Sequence, residues 1–154
     1  MGRMYTAVMD AQAVAAVCEL FYLKAPTDAV VVLHEVLVSQ DAVEVSEMLP
    51  VNIFRTATDQ SAKGTANTPA PLASGDAAFG GTARTTILAS ETLATETTSL
   101  FRQAQNVLNG WHWLWTPETR PALSPGTGLC VKLDAVPAAS LTFSGYVVFE
   151  EIGG

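Results

Sequence analysis

The sequence predicts an all-β fold, an antiparallel β-sandwich of the jelly-roll kind with one long loop or arm. Three observations lead there. Short runs rich in Val, Phe, Tyr and Thr recur along the chain, several with the two-residue alternation of a half-buried strand. Clusters of Pro, Gly, Asp and Ser separate them and mark turns. No stretch sustains a long helix of 3.6-residue period. About eight such strands, with no internal repeat, read as a sandwich or jelly roll. The 154 residues fit a single domain spanning 1–154, long enough to bury a sizeable core.

Taken in order, residues 4–9 alternate loosely. Residues 17–23 (VCELFYL) read as a strand, although Val14, Val17, Cys18, Phe21 and Tyr22 also fall at helical spacing, so both readings stand. Pro26 and Asp28 mark a turn. Residues 29–38 (AVVVLHEVLV) hold five valines and are too short and too β-branched for a helix. Residues 47–56 (EMLPVNIFRT) make another strand, in which Pro50 predicts a bulge or an edge. The 28 residues 57–84 are mostly Thr, Ala, Ser, Gly and Pro with little periodicity. They read as an extended arm or large surface loop with Phe79 as its anchor, since so long a loop in a compact domain is unusual.

Strands resume at 85–89, 100–107 and 110–115, followed by the turn-rich TPETRPALSPGTG. The last two strands are the clearest. Leu129, Val131 and Leu133 share one face, with Cys130, Lys132 and Asp134 on the other. Leu141, Phe143, Val147 and Phe149 then alternate with Thr142, Ser144, Val148 and Glu150.

Composition narrows function. The net charge is −7, and the eight basic residues stand singly, so no basic stripe exists to displace counterions from a phosphate backbone. Nucleic-acid binding is therefore not expected. Charged residues make up 15% of the chain, against about a quarter in an ordinary globular protein, which points to a surface partly covered by a partner. Cys18 and Cys130 lie inside apolar runs, outside any CxxC pair, and read as small buried hydrophobes in preference to a disulfide. Residues 29–38 are too short to cross a bilayer and the first ten residues have no continuous apolar core. A soluble chain made without export is the expectation.

Catalytic constellations fail at named positions. His34-Glu35 opens an HExxH pattern, but Val38 stands where the second imidazole belongs, on a segment that reads as strand. Neither His34 nor His112 sits near a nucleophile elbow, and the glycines at 75, 80 and 81 match no phosphate-binding loop. Glu150 and Glu151, adjacent on a strand, point to opposite faces. Asp41, Glu44 and Glu47 form an acidic loop whose solvated reading outweighs weak cation binding. No catalytic, metal or cofactor residues are nominated. In WHWLW, Trp111, Trp113 and Trp115 share one strand face. They form either a layer of the core, which is favoured, or a platform for a sugar or partner.

The order of these features resembles the small jelly-roll head decoration (cement) proteins of tailed phages. The residues that carry the likeness are the opening RMYTAVMDAQ, VCELFYL leading to AP and to a strand ending VSQD, and the middle TANTPAPLASGDAAFGGTA. GWHWLWTPE and PGTGLCVKLDAVPAASLTFSGYVVFEEIG complete it. The resemblance implies a sandwich on the outside of a capsid, a homotrimer that clamps capsomers where they meet. It supplies no catalytic residues.

The functional expectation is thus a virion protein that contacts the major capsid protein and itself, without nucleic acid or membrane, made in the host cytoplasm. The nominated contact residues are Arg3 and Tyr5, Pro69, Pro71 and Phe79 of the arm, and Trp113 and Trp115. Alternatives are another head or tail component and a carbohydrate-binding jelly roll built on the tryptophans. A cupin-type enzyme is disfavoured by having only two isolated histidines.

Overall fold

The computed structural model describes residues 2–41 and 46–153. In chain order the strands are β1 (Arg3–Val14), β2 (Cys18–Lys24), β3 (Ala29–Gln40), β4 (Met48–Thr56), β5 (Thr65–Asn67) and β6 (Ala70–Pro71). They continue as β7 (Thr82–Leu88), β8 (Thr98–Asn106), β9 (Trp111–Leu114), β10 (Ala122–Leu123), β11 (Gly128–Leu133) and β12 (Leu141–Gly153). The one helical turn among the described residues is a 3₁₀ turn at Ala89–Glu91.

The fold is an antiparallel sandwich of two sheets. The first runs β6-β1-β12-β3, with β9 and β10 sharing the outer edge of β3; the second runs β5-β7-β2-β11-β4-β8. Strip away β5, β6, β7 and β10, and the remaining sheets are β1-β12-β3-β9 and β2-β11-β4-β8. Consecutive strands then cross between sheets at every step but β4 to β8, which pair within one sheet, as in an eight-stranded jelly roll.

The alternation read from the sequence builds the interior. Leu141, Phe143, Val147 and Phe149 of β12 are buried and face Leu129, Val131 and Leu133 of β11 within one continuous core. Gly145 interrupts the β12 series because a Cβ there would overlap the Leu37 carbonyl oxygen of β3. Cys18 and Cys130 are both buried and unlinked, in line with their reading as small hydrophobes.

Pro50 is a local edge of β4, as expected, and no bulge lies at it. β4 lies between β11 and β8, and Pro50 sits one residue beyond the point where β11 pairing stops at Val51, so its missing N–H costs no β11 ladder bond. The register shift falls instead at Ile53/Phe54, opposite β8.

The 57–84 segment takes the second of the two forms expected of it, a large surface loop laid against the sandwich, and does not project as an arm. β5 extends the second sheet through β7 while β6 extends the first through β1. Between them, Asn67 Nδ2 donates to the Val8 carbonyl at 2.6 Å and Leu72 N to that of Met4 at 2.8 Å. The segment stitches the two sheets together at one edge. Short, polar pieces of this kind show no periodicity because each contributes only two or three ladder residues.

Candidate functional site

The two sheets differ in what lies over their outer faces. On the second sheet, the segments around 57–64 and 89–97 fold across β2, β11 and β4. They enclose a second small core of Tyr22, Phe54, Ile87, Ala94 and Cys130. β2 is therefore buried on both sides from Cys18 to Leu23. Glu19 lies within this layer, fully buried, and its Oε1 accepts the Ala94 N–H and, at 3.4 Å, an amide N–H of Gln60. Burial pushes the Glu19 carboxyl above its ordinary range, against these hydrogen bonds, and pushes the Cys18 thiol up to about 12.

The outer face of the first sheet has no such cover among the described residues. Val8 of β1 is 54% exposed and Leu114 of β9 68% exposed; Ile152 of β12 is exposed as well. Met4, Val30, Val32, Leu37, Tyr146 and Val148 are half-buried around them. The pairings Val8↔Tyr146, Leu37↔Tyr146 and Leu37↔His112 make these residues a continuous surface across four strands.

The face is poor in unpaired charge. Its two central carboxylates, Glu35 and Glu150, are each matched to a histidine. A β-bulge explains how both His34 and Glu35 reach this side: Leu33 pairs Phe149 and Glu35 pairs Val148, leaving His34 as the extra residue. The bulge keeps Leu33 and Val36 inward while two consecutive polar side chains point outward. His34 Nε2 lies 3.3 Å from Glu150 Oε2, and Gly2 N donates to Glu150 Oε1 at 2.8 Å. Glu35 Oε1 accepts the Tyr146 hydroxyl at 2.5 Å and lies 2.8 Å from His112 Nε2. The Tyr146 hydroxyl, followed by His112, holds the Glu35 carboxyl below its usual range, and Glu35 in turn raises the Tyr146 phenol. The HE dipeptide forms a bulge on this face.

The nominated contact residues separate into two groups. Tyr5, Pro69 and Trp115 are buried inside the protomer and present no contact area, which corrects their nomination. Tyr5 points inward by the β1 alternation, stacks on Phe149 and donates its hydroxyl to the Ala77 carbonyl at 2.9 Å. Phe79 does anchor the 57–84 segment, but to its own core: its ring lies 4.9 Å from Phe149 and 5.5 Å from Tyr5. Arg3, Pro71 and Trp113 remain half-exposed. Arg3 Nη1 lies 3.5 Å from the buried Glu151, whose other oxygen accepts Gly80 N at 2.9 Å. Glu150 and Glu151 thus point to opposite faces.

The tryptophans close the sandwich along its β8–β9 side. Phe101 of β8 lies 5.3 Å from Trp113 and 5.4 Å from Trp115, and Trp111 and Trp115 are almost fully buried. A sugar platform on this stripe loses two of its three rings to the core. In the acidic loop, Asp41 accepts the Ser144 hydroxyl and Glu47 accepts Ala138 N; Glu44 lies outside the described residues. No group of three potential metal ligands occurs among the described residues, and no helix is long and apolar enough to cross a membrane.

The exposed apolar face had only a partial signal in the sequence. Val8, Val32, Leu37, Val148 and Leu114 occupy the positions that a strict inside–outside alternation assigns to polar residues. Compared with family models, curated proteins and solved structures, the chain matches none.

Proposed function

We propose that this chain is a structural protein of a tailed-phage virion: a decoration protein that binds the outer capsid surface and stabilises the shell by protein–protein contacts, without catalysis. The observation that carries this reading is the asymmetry of the sandwich. One outer face is sealed by the chain's own insertion. The other is left uncovered among the described residues, with exposed and half-buried apolar side chains around carboxylates that are each paired to a histidine. The order of sequence features that resembles cement proteins supplies the direction, namely a capsid and further copies of the chain as partners.

The size of the face fits a repeated contact better than a solitary one. Three strands about 4.8 Å apart, each offering about eight residues at about 3.3 Å, and the four-residue β9 span roughly 450 Å². A stable pairwise interface buries about 800 Å² on each partner. A single face of this area binds weakly; three faces on one trimer, engaging a lattice together, bind with avidity.

The reading is tested by two measurements on the intact protein. Sedimentation equilibrium is expected to give a closed oligomer, a trimer. Mass spectrometry of heads and tails, separated from particles made by the cell that encodes the chain, is expected to find it on heads. A protein that stays monomeric and is absent from particles contradicts the proposal. Recovery from tails alone moves the assignment to another virion component.

A further inference from the structure

Away from the uncovered face, one end of the sandwich holds a cleft of about 480 Å³ between the ends of β2 and β4, the 57–59 segment, Thr97, and the turn before β11. That volume is within the range of small-molecule sites. Its floor is Tyr22, against which Gly128 packs so closely that a Cβ would meet the ring at 2.8 Å. Its rim on one side is the turn Ser124-Pro125-Gly126-Thr127. Thr127 N donates to the Ser124 carbonyl at 3.1 Å and Gly126 has φ 74°, as a type II turn requires. Gly126 N donating to the Pro26 carbonyl at 2.9 Å and Ala25 N to that of Thr127 at 3.0 Å tie this rim to the body.

Among the described residues, three threonine hydroxyls of the lining have their hydrogens committed to backbone carbonyls, while those of Thr58 and Ser124 do not. Thr97 Oγ1 donates to the Arg55 carbonyl at 2.7 Å and Thr127 Oγ1 to that of Ser124 at 2.7 Å; the buried Thr56 Oγ1 donates to the Thr95 carbonyl at 2.8 Å and already accepts Thr58 N at 2.9 Å. A hydroxyl whose hydrogen is committed to the backbone keeps only lone pairs for a ligand. The strong donors are Arg55 and Lys24. Arg55 is exposed, is steadied by one hydrogen bond from Nη2 to the Ala122 carbonyl at 3.0 Å, and has no carboxylate partner among the described residues. Lys24 Nζ is 2.7 Å from Asp59 Oδ2. With Asp59 as the sole carboxylate, the lining carries two cations against one anion on a chain of net charge −7.

We infer that this cleft binds an acidic monosaccharide, a hexuronic acid or a terminal residue of that type. The sugar's carboxylate engages the guanidinium of Arg55 beside Lys24, and its hydroxyl hydrogens are received by the committed oxygens of Thr97 and Thr127 and by Asp59. Arg55 suits this role because its planar fork takes a carboxylate in bidentate fashion while one N–H stays on Ala122. A neutral sugar leaves the cation unmatched, and a bare carboxylate leaves the acceptor oxygens unused. The inference is independent of the virion reading, since its surface and its partner are different.

The test is a titration of the full chain followed by NMR, with glucuronate and galacturonate as probes and glucose, acetate and inorganic phosphate as controls. The expected result is saturable perturbation of Arg55, Lys24 and residues 126–128 by a uronate. Each control should bind at least about tenfold more weakly. Arg55→Met and Lys24→Met should each weaken uronate binding by about tenfold or more. Arg55→Lys, which keeps the charge and lacks the fork, should fall between, with thermal melts confirming that each variant is folded. No saturation by either uronate, equal binding of acetate or phosphate, perturbations centred elsewhere, or uronate affinity unchanged in folded Arg55→Met overturns the inference.

Discussion

Two residues buried for different reasons set the most local tests. Glu19 is enclosed with Gln60, and both Glu19 Oε2 and Gln60 Oε1 have no hydrogen-bond partner among the described residues. A buried carboxylate oxygen without a donor is costly, and a proton on Glu19 relieves that cost, in keeping with the upward displacement that burial causes. Because the folded-state pKa is raised, the stability this carboxyl contributes is complete below the unfolded value of about 4.3 and is lost as pH climbs through the folded value. Glu19→Gln places an N–H₂ where the proton would be. Urea unfolding at pH 5 and pH 8 should show the variant gaining stability on the wild type between the two. An identical pH dependence in both proteins contradicts this assignment. Gly145→Ala tests close packing of β12 on β3. The added methyl meets the Leu37 carbonyl and should cost about 2 kcal/mol in the same assay.

At the level of elements, the 57–84 segment is the part of the chain whose nature was least visible in advance. Its anchor, Phe79, was legible as the lone aromatic in a polar run. Its destination was not, because β5 and β6 are too short to carry a period and their pairing is set by partners more than fifty residues away on β1 and about twenty away on β7. β12, by contrast, was legible residue by residue, since alternation survives wherever one face is solvated, and β11 kept its alternation only through Lys132 and Asp134. β2 hid its faces because the core between the sheets covers one and the chain's own segments cover the other. Phe79→Ala should lower stability by about 3 kcal/mol. Limited proteolysis should then cut within 57–84 before any other segment; cleavage no faster than in the wild type contradicts the stitching role. On the opposite side, Phe101→Ala removes the ring between Trp113 and Trp115 and should red-shift and quench tryptophan emission while costing about 3 kcal/mol.

For the whole molecule, the sequence made the all-β class and low charge plain. The interaction surface was harder to see, because outward valines and leucines on a strand look like errors of alternation until the topology shows them adjacent. The nominated contacts Tyr5, Pro69 and Trp115 were selected for residue type, and their inward direction follows from strand phase and chain path. The structure leaves one sheet face bare where the other is doubly covered, and the account rests on that difference. Val8 and Leu114 lie on its two margins, outside the core, so charging them should leave the fold intact while placing carboxylates in the contact. The decisive measurement is co-sedimentation of wild-type protein and the Val8→Glu/Leu114→Glu variant with purified undecorated heads, both proteins matched by circular dichroism. The account predicts saturable binding of the wild type and a variant that stays in the supernatant. A variant that sediments with the heads as fully as the wild type, or a wild type that binds no heads, contradicts it.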